Sequence, residues 1–281
     1  MNCLSLNIRG VRGVGKGNWV RSIKNKEGVS FIALQEIQAS GVFEETFRGF
    51  WGIKSMEFEV VEPCGRSGGL VSMWDPIVFK KIDCIKHNNF LILKGKIKEI
   101  EDVVFEVNVY APQNSNDKRN LWNSFSTIIG GESGVWLIMG DFNTVRTSEE
   151  RKGSQFKARC AREFNQFIAC NDLHDYNMRG GKFTFLMEND RGRKMSKIDR
   201  VLVSRELMDR WPTTCLRVLP RLYSDHNPLF LKMVENNYAP KPFRLFNSWM
   251  EKPGFEEVVD SALESFVGFG APDVILTMKF R

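Results

Sequence analysis

Short apolar runs that end in polar side chains recur along this chain. Residues 135–139 are all apolar and precede a glycine, after which Asp141 and Asn143 stand two positions apart. A run of this kind is typical of a strand that is covered on both faces. Alternation at the strand end would turn Asp141 and Asn143 to one side and Phe142 to the core. A simple turn over 140–143 is the competing interpretation, because three of its residues favour turns.

The same pattern predicts further strands, several of which carry a polar residue near one end. They span 1–8, 31–36, 70–74, 90–98, 103–110, 180–185, 198–203 and 229–234. Asn7, Glu36 and Tyr110 lie at the ends of three of these strands, and Asp199 lies inside another. Hard divalent cations need oxygen ligands that converge from several elements. We therefore expect Asn7, Glu36 and Asp141 to meet in space.

The composition indicates a globular protein with a basic surface. With 281 residues, of which 42% are hydrophobic and 26% charged, the chain can form one large domain or two small ones. The net charge of +6 favours polyanionic partners. Basic residues are dense at 146–162 and 191–197, where they form either a solvated face or a surface that grips phosphates.

Six cysteines occur without metal-site spacing, so we expect reduced thiols in the core. The chain has no leader pattern and no apolar run of about 20 residues, the length that a membrane span needs. We therefore expect an intracellular soluble protein with no membrane partner.

Two motifs have competing explanations. Gly10, Gly15 and Lys16 match the first fixed positions of a phosphate-binding P-loop, between a predicted strand and a predicted helix. The next residue is Gly17, which lacks the hydroxyl that would hold magnesium, so we expect no nucleotide cofactor. His226, beside an aspartate in a loop, is either a general acid/base or a structural histidine.

Six motifs in order resemble the endonuclease/exonuclease/phosphatase superfamily. They are Asn7, Gln35-Glu36, Tyr110-Ala-Pro, Gly140-Asp-Phe-Asn143, Ile198-Asp-Arg200 and Ser224-Asp-His226. The resemblance covers about residues 1–233 and is closer to the apurinic-endonuclease-type domain of plant LINE (non-LTR) retrotransposons. It implies an α/β (α+β) fold, a four-layered sandwich of two mixed β-sheets flanked by helices. In that family a reverse transcriptase follows, and 234–281 resembles the linker and helical connector leading to it, here truncated before the polymerase.

The resemblance also implies a metal site. Glu36 would be the principal ligand of Mg²⁺, with Mn²⁺ as a substitute. Asn7 would orient Glu36, and Asp225 would be an outer ligand. Arg9 stands where some relatives carry a further acidic ligand, so the sequence leaves open whether one or two metal ions bind.

The chemical roles follow from the same resemblance. Asp141 would activate the attacking water, directly or through the metal, and Asn143 would contact the scissile phosphate. Tyr110 would approach the same phosphate oxygens. His226 would contact the phosphate and would be held by Asp199, a carboxylate that favours the charged imidazole.

These roles imply an endonuclease that nicks DNA in the nucleus to prime reverse transcription. The residues expected to bind the flanking DNA are Arg151, Lys152, Thr184, Arg191, Arg193 and Lys194. Two alternatives remain open: a phosphoesterase acting on a small phosphorylated substrate such as a phosphoinositide, and an inactive nucleic-acid-binding transposon remnant. The oligomeric state and the preference for target or abasic sites are left open by the sequence.

Overall fold

The computed structural model describes residues 1–41, 44–65, 68–98, 101–189, 192–233 and 252–265. Met1–Glu235 forms one compact unit and Asn236–Arg281 another. The sequence-based division at 233 and the role of the tail as a connector stay predictions. Among the described residues, no helix has both the length and the apolar character needed to cross a membrane.

The first unit alternates short strands with a few helices. The strands are β1 (Cys3–Asn7), β2 (Phe31–Gln35), β3 (Glu57–Val61), β4 (Leu70–Trp74), β5 (Phe79–His87), β6 (Phe90–Ile97), β7 (Val104–Tyr110), β8 (Val135–Asp141), β9 (Arg151–Lys152), β10 (Leu173–Asp175), β11 (Met178–Arg179), β12 (Phe185–Asn189), β13 (Gly192–Ser196), β14 (Asp199–Ser204), β15 (Cys215–Val218) and β16 (Leu229–Lys232). The helices are α1 (Lys16–Glu27), α2 (Glu44–Trp51), α3 (Ser115–Gly131), α4 (Ala158–Cys170) and α5 (Arg205–Arg210), with α6 (Phe255–Ser265) in the second unit.

The strands form two large sheets and one small one. The first sheet has the order β11-β15-β16-β1-β2-β4-β3, and the second has the order β10-β14-β8-β7-β6-β5. Both sheets are mixed, because β1 and β2 are parallel, as are β7 and β8, while most other neighbours are antiparallel. The small sheet, β12-β13-β9, adds a basic ribbon.

The side chains of the central strands alternate between two cores, which produces the four layers. Cys3 and Phe31 point into the core between the two sheets, where they meet Leu137 of β8. Leu4 and Ile32 point the other way, onto α1 and α2. Helices α3 and α4 cover the outer face of the second sheet with a cluster rich in aromatic rings. The predicted four-layered sandwich is thus confirmed.

Gly140 fits the closest approach between β7 and β8. A Cβ atom at this position would lie 2.0 Å from the Val109 carbonyl oxygen, and the residue has φ of 145°. No larger residue can be accommodated without separating the strands. The glycine before Asp141 therefore belongs to a buried strand, which decides against a simple turn.

Several elements differ from the sequence-based expectation. The strands predicted at 90–98 and 103–110 are present as β6 and β7, which pair antiparallel, but α2 and the strands β3, β5, β9, β10, β11, β13 and β15 were not predicted. The alternation of β5 is hidden by a register shift between Lys81 and Asp83. The strand predicted at 180–185 begins only at Phe185, since Gly180 has a left-handed φ of 95°. All six cysteines are free thiols, but only Cys3 and Cys160 are buried, so the expectation of core positions is wrong for the exposed Cys64 and Cys170.

Candidate active site

The polar strand ends meet at one edge of the sandwich. In the first sheet β1 and β2 are parallel and in register to their last residues, so Asn7 and Glu36 emerge side by side. In the second sheet Tyr110 of β7 pairs with Asp141 of β8. Asp141 pairs in turn with Asp199 at the start of β14. Backbone register therefore places Asn7 beside Glu36 in the first sheet, and Tyr110, Asp141 and Asp199 side by side in the second.

Asn7 joins the two sheets at this edge. Its Nδ2 donates to Glu36 Oε1 and to Asp141 Oδ2, both at 3.0 Å, and the side chain is completely buried. Its Oδ1 accepts the backbone N–H of Arg9 at 3.2 Å. Because both ends of the amide are engaged, Asn7 fixes the orientation of the two carboxylates relative to each other.

Glu36 is held as a carboxylate. Burial opposes ionisation, but hydrogen bonds from Asn7 and Tyr110 and the charge of Arg9 lower the pKa of Glu36. Gln38 Nε2 also donates to Glu36 Oε2 at 2.8 Å. Burial, and to a smaller extent the negative charge of Glu36, raises the pKa of Tyr110, so its phenol stays protonated.

Asp141 is poised to accept a proton. The backbone N–H of Asn143 donates to Asp141 Oδ1 at 2.8 Å, and Asn7 donates to its other oxygen. Burial, and then the charge of Asp199, raise the pKa of Asp141, while His226 and these hydrogen bonds act in the opposite direction. A carboxyl group whose pKa is raised toward neutrality is suited to general base chemistry.

Asn143 is fixed by its backbone rather than by the strand. It has a left-handed φ of 48°, and its Nδ2 donates to the Ala111 carbonyl at 2.8 Å. The ammonium group of Lys118 donates to the Asn143 carbonyl oxygen at 2.6 Å. The second N–H of the Asn143 amide remains available to a bound anion.

His226 and Asp199 form a buried pair. His226 Nδ1 lies 3.0 and 2.9 Å from the two Asp199 oxygens, and Nε2 lies 4.0 Å from Asp141 Oδ2. Burial tends to lower the pKa of His226, but the charge and hydrogen bond of Asp199, followed by the charges of Asp141 and Asp225, raise it overall. Ser224 Oγ accepts the His226 backbone N–H and donates to the Asn7 carbonyl, which ties the histidine loop to β1.

Thr184 does not lie where the sequence-based prediction of a DNA contact placed it. The residue has no exposed surface, and its Oγ1 accepts the backbone N–H groups of Ile198 and Asp199 at 3.1 and 3.0 Å. Its hydroxyl therefore binds the backbone at the start of β14 and helps to fix the position of Asp199. Thr184 lies in the strand predicted at 180–185, and the sequence pattern did not show that its hydroxyl would be buried.

Glu36 and Asp225 form a better site for a hard divalent cation than the cluster of Asp141, Asp199 and His226. Atoms of Asp141, Asp199 and His226 all lie within 4.8 Å of one another. Since His226 is bonded to Asp199 and its pKa is raised, its imidazole is protonated and cannot act as a ligand. Asp225 Oδ1, by contrast, is buried without a hydrogen-bond partner. Few carboxylates, supplemented by water and substrate oxygens, are the usual environment of Mg²⁺.

These side chains line a cleft of about 420 Å³, here called the central cleft. Its lining includes Glu36, Asp141, Asn143, His226 and Arg151. A groove of about 620 Å³ continues past Glu36 along Tyr110. A larger cavity, of about 840 Å³, lies near the opposite ends of β1 and β2 and contains none of the predicted site residues.

Part of the predicted DNA-binding set lies beside the central cleft. Arg151 and Lys194 line it. Lys152 and Arg193 are exposed on the same small sheet, and Arg193 is 3.6 Å from Glu188. The predicted Arg191 lies outside the described residues.

A second, smaller pocket adjoins Asn143 and was not anticipated. We call this space of about 170 Å³ the Arg151 pocket; it is lined by Gln113, Lys118, Asn143, Thr144, Val145, Arg151, Lys157 and Cys160. Arg151 Nε and Thr144 Oγ1 are buried there without partners. None of the described residues that line it is acidic. Buried donors that face an acid-free pocket favour an anion.

Lys16, the lysine of the competing P-loop interpretation, has a structural use. Its Nζ donates to the carbonyl oxygens of Ile8, Arg9 and Gly10, each at 2.8 Å. The ammonium group is therefore saturated by the loop that follows β1. This loop presents Arg9 to the central cleft, a contact for which the sequence gave no structural signal.

Comparison with known proteins agrees with this geometry. Residues 104–230 match the family model described as endonuclease-reverse transcriptase. The chain is 26% identical over 266 residues to the transposon TX1 uncharacterized 149 kDa protein of Xenopus laevis, which covers 91% of this chain and 20% of that protein. The chain thus spans about one fifth of this curated relative.

Solved structures share the fold at low sequence identity. The endonuclease domain of TRAS1, a telomere-specific non-LTR retrotransposon, has a TM-score of 0.61 at 14% identity, covering 84% of this chain and 99% of that one. The AP endonuclease LMAP of Leishmania major has a TM-score of 0.62 at 16% identity, with coverages of 82% and 86%. The catalytic domain of Xenopus laevis APE2 has a TM-score of 0.64 at 14% identity, with coverages of 83% and 91%. The chain therefore matches the endonuclease-reverse transcriptase family over residues 104–230, and its fold resembles that of AP endonucleases and of a non-LTR retrotransposon endonuclease domain.

Proposed function

We propose that this chain is a Mg²⁺-dependent endonuclease that nicks DNA at the target site of a retrotransposon, with Mn²⁺ able to replace Mg²⁺. The observation that carries the proposal is the buried Asn7 amide, which binds Glu36 and Asp141 at the same distance. A carboxylate for a metal and a carboxylate for a water molecule are thereby held a fixed distance apart. Chromosomal DNA as the target would place the chain in the nucleus.

The proposed mechanism divides the work between the two sides of the central cleft. A bound Mg²⁺ would screen the charge of the scissile phosphate and stabilise the leaving oxygen. Asp141 would take the proton of the attacking water at its Oδ2, the oxygen that faces His226. His226, kept charged by Asp199, would donate through Nε2 to a phosphate oxygen. Asn143 would hold the same phosphate with its free N–H.

The basic surroundings favour DNA over a small substrate. The Arg151 pocket lies next to Asn143 and is lined by the buried Lys118. The size and the positive charge of this pocket suit a neighbouring phosphate of the DNA strand that is cleaved. Arg151 and Lys194 continue the positive surface along the central cleft. The related proteins are named as endonucleases or AP endonucleases. A remnant without activity would have no need of the ionised Glu36 or the charged His226.

Cleavage of supercoiled plasmid tests the proposal directly. We expect purified protein to convert plasmid to the open circle with Mg²⁺ or Mn²⁺ and to be inactive in EDTA. Glu36→Gln should reduce nicking about 100-fold or more, because the amide is a weaker ligand for a hard cation. The change is nearly isosteric and keeps a hydrogen-bond acceptor for Asn7.

The matched control is Glu45→Gln, an exposed residue in the first turn of α2. It should nick like the wild type. Equal rates for Glu36→Gln and the wild type would contradict the metal assignment. Binding of plasmid without nicking by the wild-type protein would instead support a nucleic-acid-binding remnant.

Lys118 allows a separate test of the phosphate contacts. Burial lowers the pKa of Lys118 to about 8, so its charge is present at pH 7 and is lost as the pH rises above this value. We expect Lys118→Met to lower the slope of log affinity against log salt by about one, measured by fluorescence anisotropy with labelled DNA. Lys26→Met, at an exposed position of α1, should leave the slope unchanged. An unchanged slope for Lys118→Met would remove Lys118 from the DNA contacts.

A further inference from the structure

A cationic side chain of the protein itself lies across the proposed metal carboxylates. Arg9 Nη1 is 3.5 Å from both oxygens of Glu36, and Arg9 Nε is 3.3 Å from Asp225 Oδ1. Asp225 Oδ1 is the buried oxygen that lacks any hydrogen-bond partner. The guanidinium group is therefore the nearest positive charge to both acids.

The guanidinium group of Arg9 makes only long contacts, whereas the Arg9 backbone is firmly held. Contacts of 3.3 to 3.5 Å are at the long end for hydrogen bonds to a carboxylate, whereas Gln38 contacts Glu36 at 2.8 Å. The Arg9 side chain is 41% exposed, and the Glu36 side chain only 5%. Lys16 and the Asn7 amide fix the Arg9 backbone, which has a left-handed φ of 54°. Only the side chain is therefore free to leave the carboxylates.

We propose that Arg9 is a tethered internal cation that occupies the Glu36 and Asp225 carboxylates and weakens the binding of a divalent metal ion to them. This inference rests on the proposed function, because it takes Glu36 to be the metal ligand. A metal ion that binds Glu36 displaces the guanidinium from the carboxylates or binds beside a like charge. Either route makes metal binding less favourable than it would be with a neutral residue at position 9.

Once displaced from the carboxylates, the Arg9 guanidinium can bind a phosphate of the DNA. Arg9 lines both the central cleft and the groove that continues along Tyr110. A phosphate in either space can accept a bidentate contact from the guanidinium. DNA therefore competes with the carboxylates for Arg9, and metal and DNA favour each other's binding by the same factor.

The test measures metal affinity without DNA and without turnover. Mn²⁺ is titrated into the wild-type protein and into four variants, and free Mn²⁺ is followed by electron paramagnetic resonance. Arg9→Gln removes the charge, and Arg9→Lys keeps it. Arg12→Gln removes an equal charge from an exposed position of the same loop. Glu36→Gln identifies the site that is being titrated, and circular dichroism verifies that each variant is folded.

We expect Arg9→Gln to bind Mn²⁺ about tenfold more tightly than the wild type, a typical effect of a charged group beside a ligand. Arg9→Lys and Arg12→Gln should stay within about threefold of the wild type, and Glu36→Gln should lose the binding. Equal affinity of Arg9→Gln and the wild type, or equal tightening by Arg9→Lys, would overturn the inference while leaving the metal site intact. Absence of Glu36-dependent Mn²⁺ binding in every protein would overturn the inference and the metal requirement of the proposed function together.

Discussion

Replacing Asp141 with asparagine is expected to lower the rate of plasmid nicking about 1,000-fold, the range typical of a lost general base. The amide keeps the shape of the side chain and can still accept the Asn143 backbone N–H, but it cannot take a proton from water. Single-turnover nicking under saturating protein gives the rate of the chemical step. Asp117→Asn makes the same chemical change at an exposed site on α3 and should leave the rate unchanged.

The thermal stability of the protein should not fall together with the nicking rate when Asp141 is replaced by asparagine. Burial and Asp199 raise the pKa of Asp141 in the folded protein. The folded state therefore binds this proton more tightly than the unfolded chain, and stability falls as the pH rises toward the raised pKa. At pH 8 the variant lacks that penalty but loses the hydrogen bond from Asn7 Nδ2, since its single amide oxygen accepts only the Asn143 backbone N–H, so its thermal midpoint should stay close to that of the wild type. A large drop in the midpoint would mean that lost activity reflects misfolding.

The pH dependence of nicking gives a second readout on the same residue. Asp141 acts as a base only when it is ionised, so wild-type nicking should rise with pH through the raised pKa of Asp141. The ordinary range of an aspartate would place this rise at much lower pH. A rate that is already maximal at pH 5 would argue against Asp141 as the base.

The residues that the sequence predicted well are those fixed by backbone register. Once 135–139 is a strand covered on both faces, Asp141 must emerge at its end, and the parallel partner brings Tyr110 to the same edge. The same logic places Asn7 beside Glu36. Apolar runs and chain order carry this information, because every strand ends at one of only two ends of its sheet.

Contacts made by side chains from distant loops were beyond the sequence pattern. Lys118 looks like an exposed residue in the first turns of α3, yet it is buried against Asn143. Arg9 could be recognised only as a departure from related sequences. Thr184 was expected to offer its hydroxyl to an anion, whereas that hydroxyl accepts the backbone N–H groups of Ile198 and Asp199. Each outcome depends on tertiary packing, which local propensity does not encode.

Asp199→Asn is expected to change the charge of His226 and thereby the pH range of activity. Burial works against the imidazolium, and Asp199 is the main group that stabilises it. Without that carboxylate the pKa of His226 should fall by about one to three units. Nicking requires the charged form, so the alkaline limb of the pH profile should move to lower pH. At pH 8 the rate should fall about 2-fold for a shift of one unit and about 100-fold for a shift of three units.

A structural role for the pair predicts a different result, so the two explanations can be separated. Breaking a buried ion pair costs about 3–5 kcal/mol of stability, and the assays must therefore be run well below the thermal midpoint of the variant. If Asp199 only supports the fold, the rate falls equally at every pH and the NMR titration of His226 is unchanged. If it sets the charge of His226, the alkaline limb and the titration shift together. Asp172→Asn breaks an exposed contact of 3.5 Å with His174 and should move neither, which ties any shift to the buried pair rather than to the loss of a carboxylate.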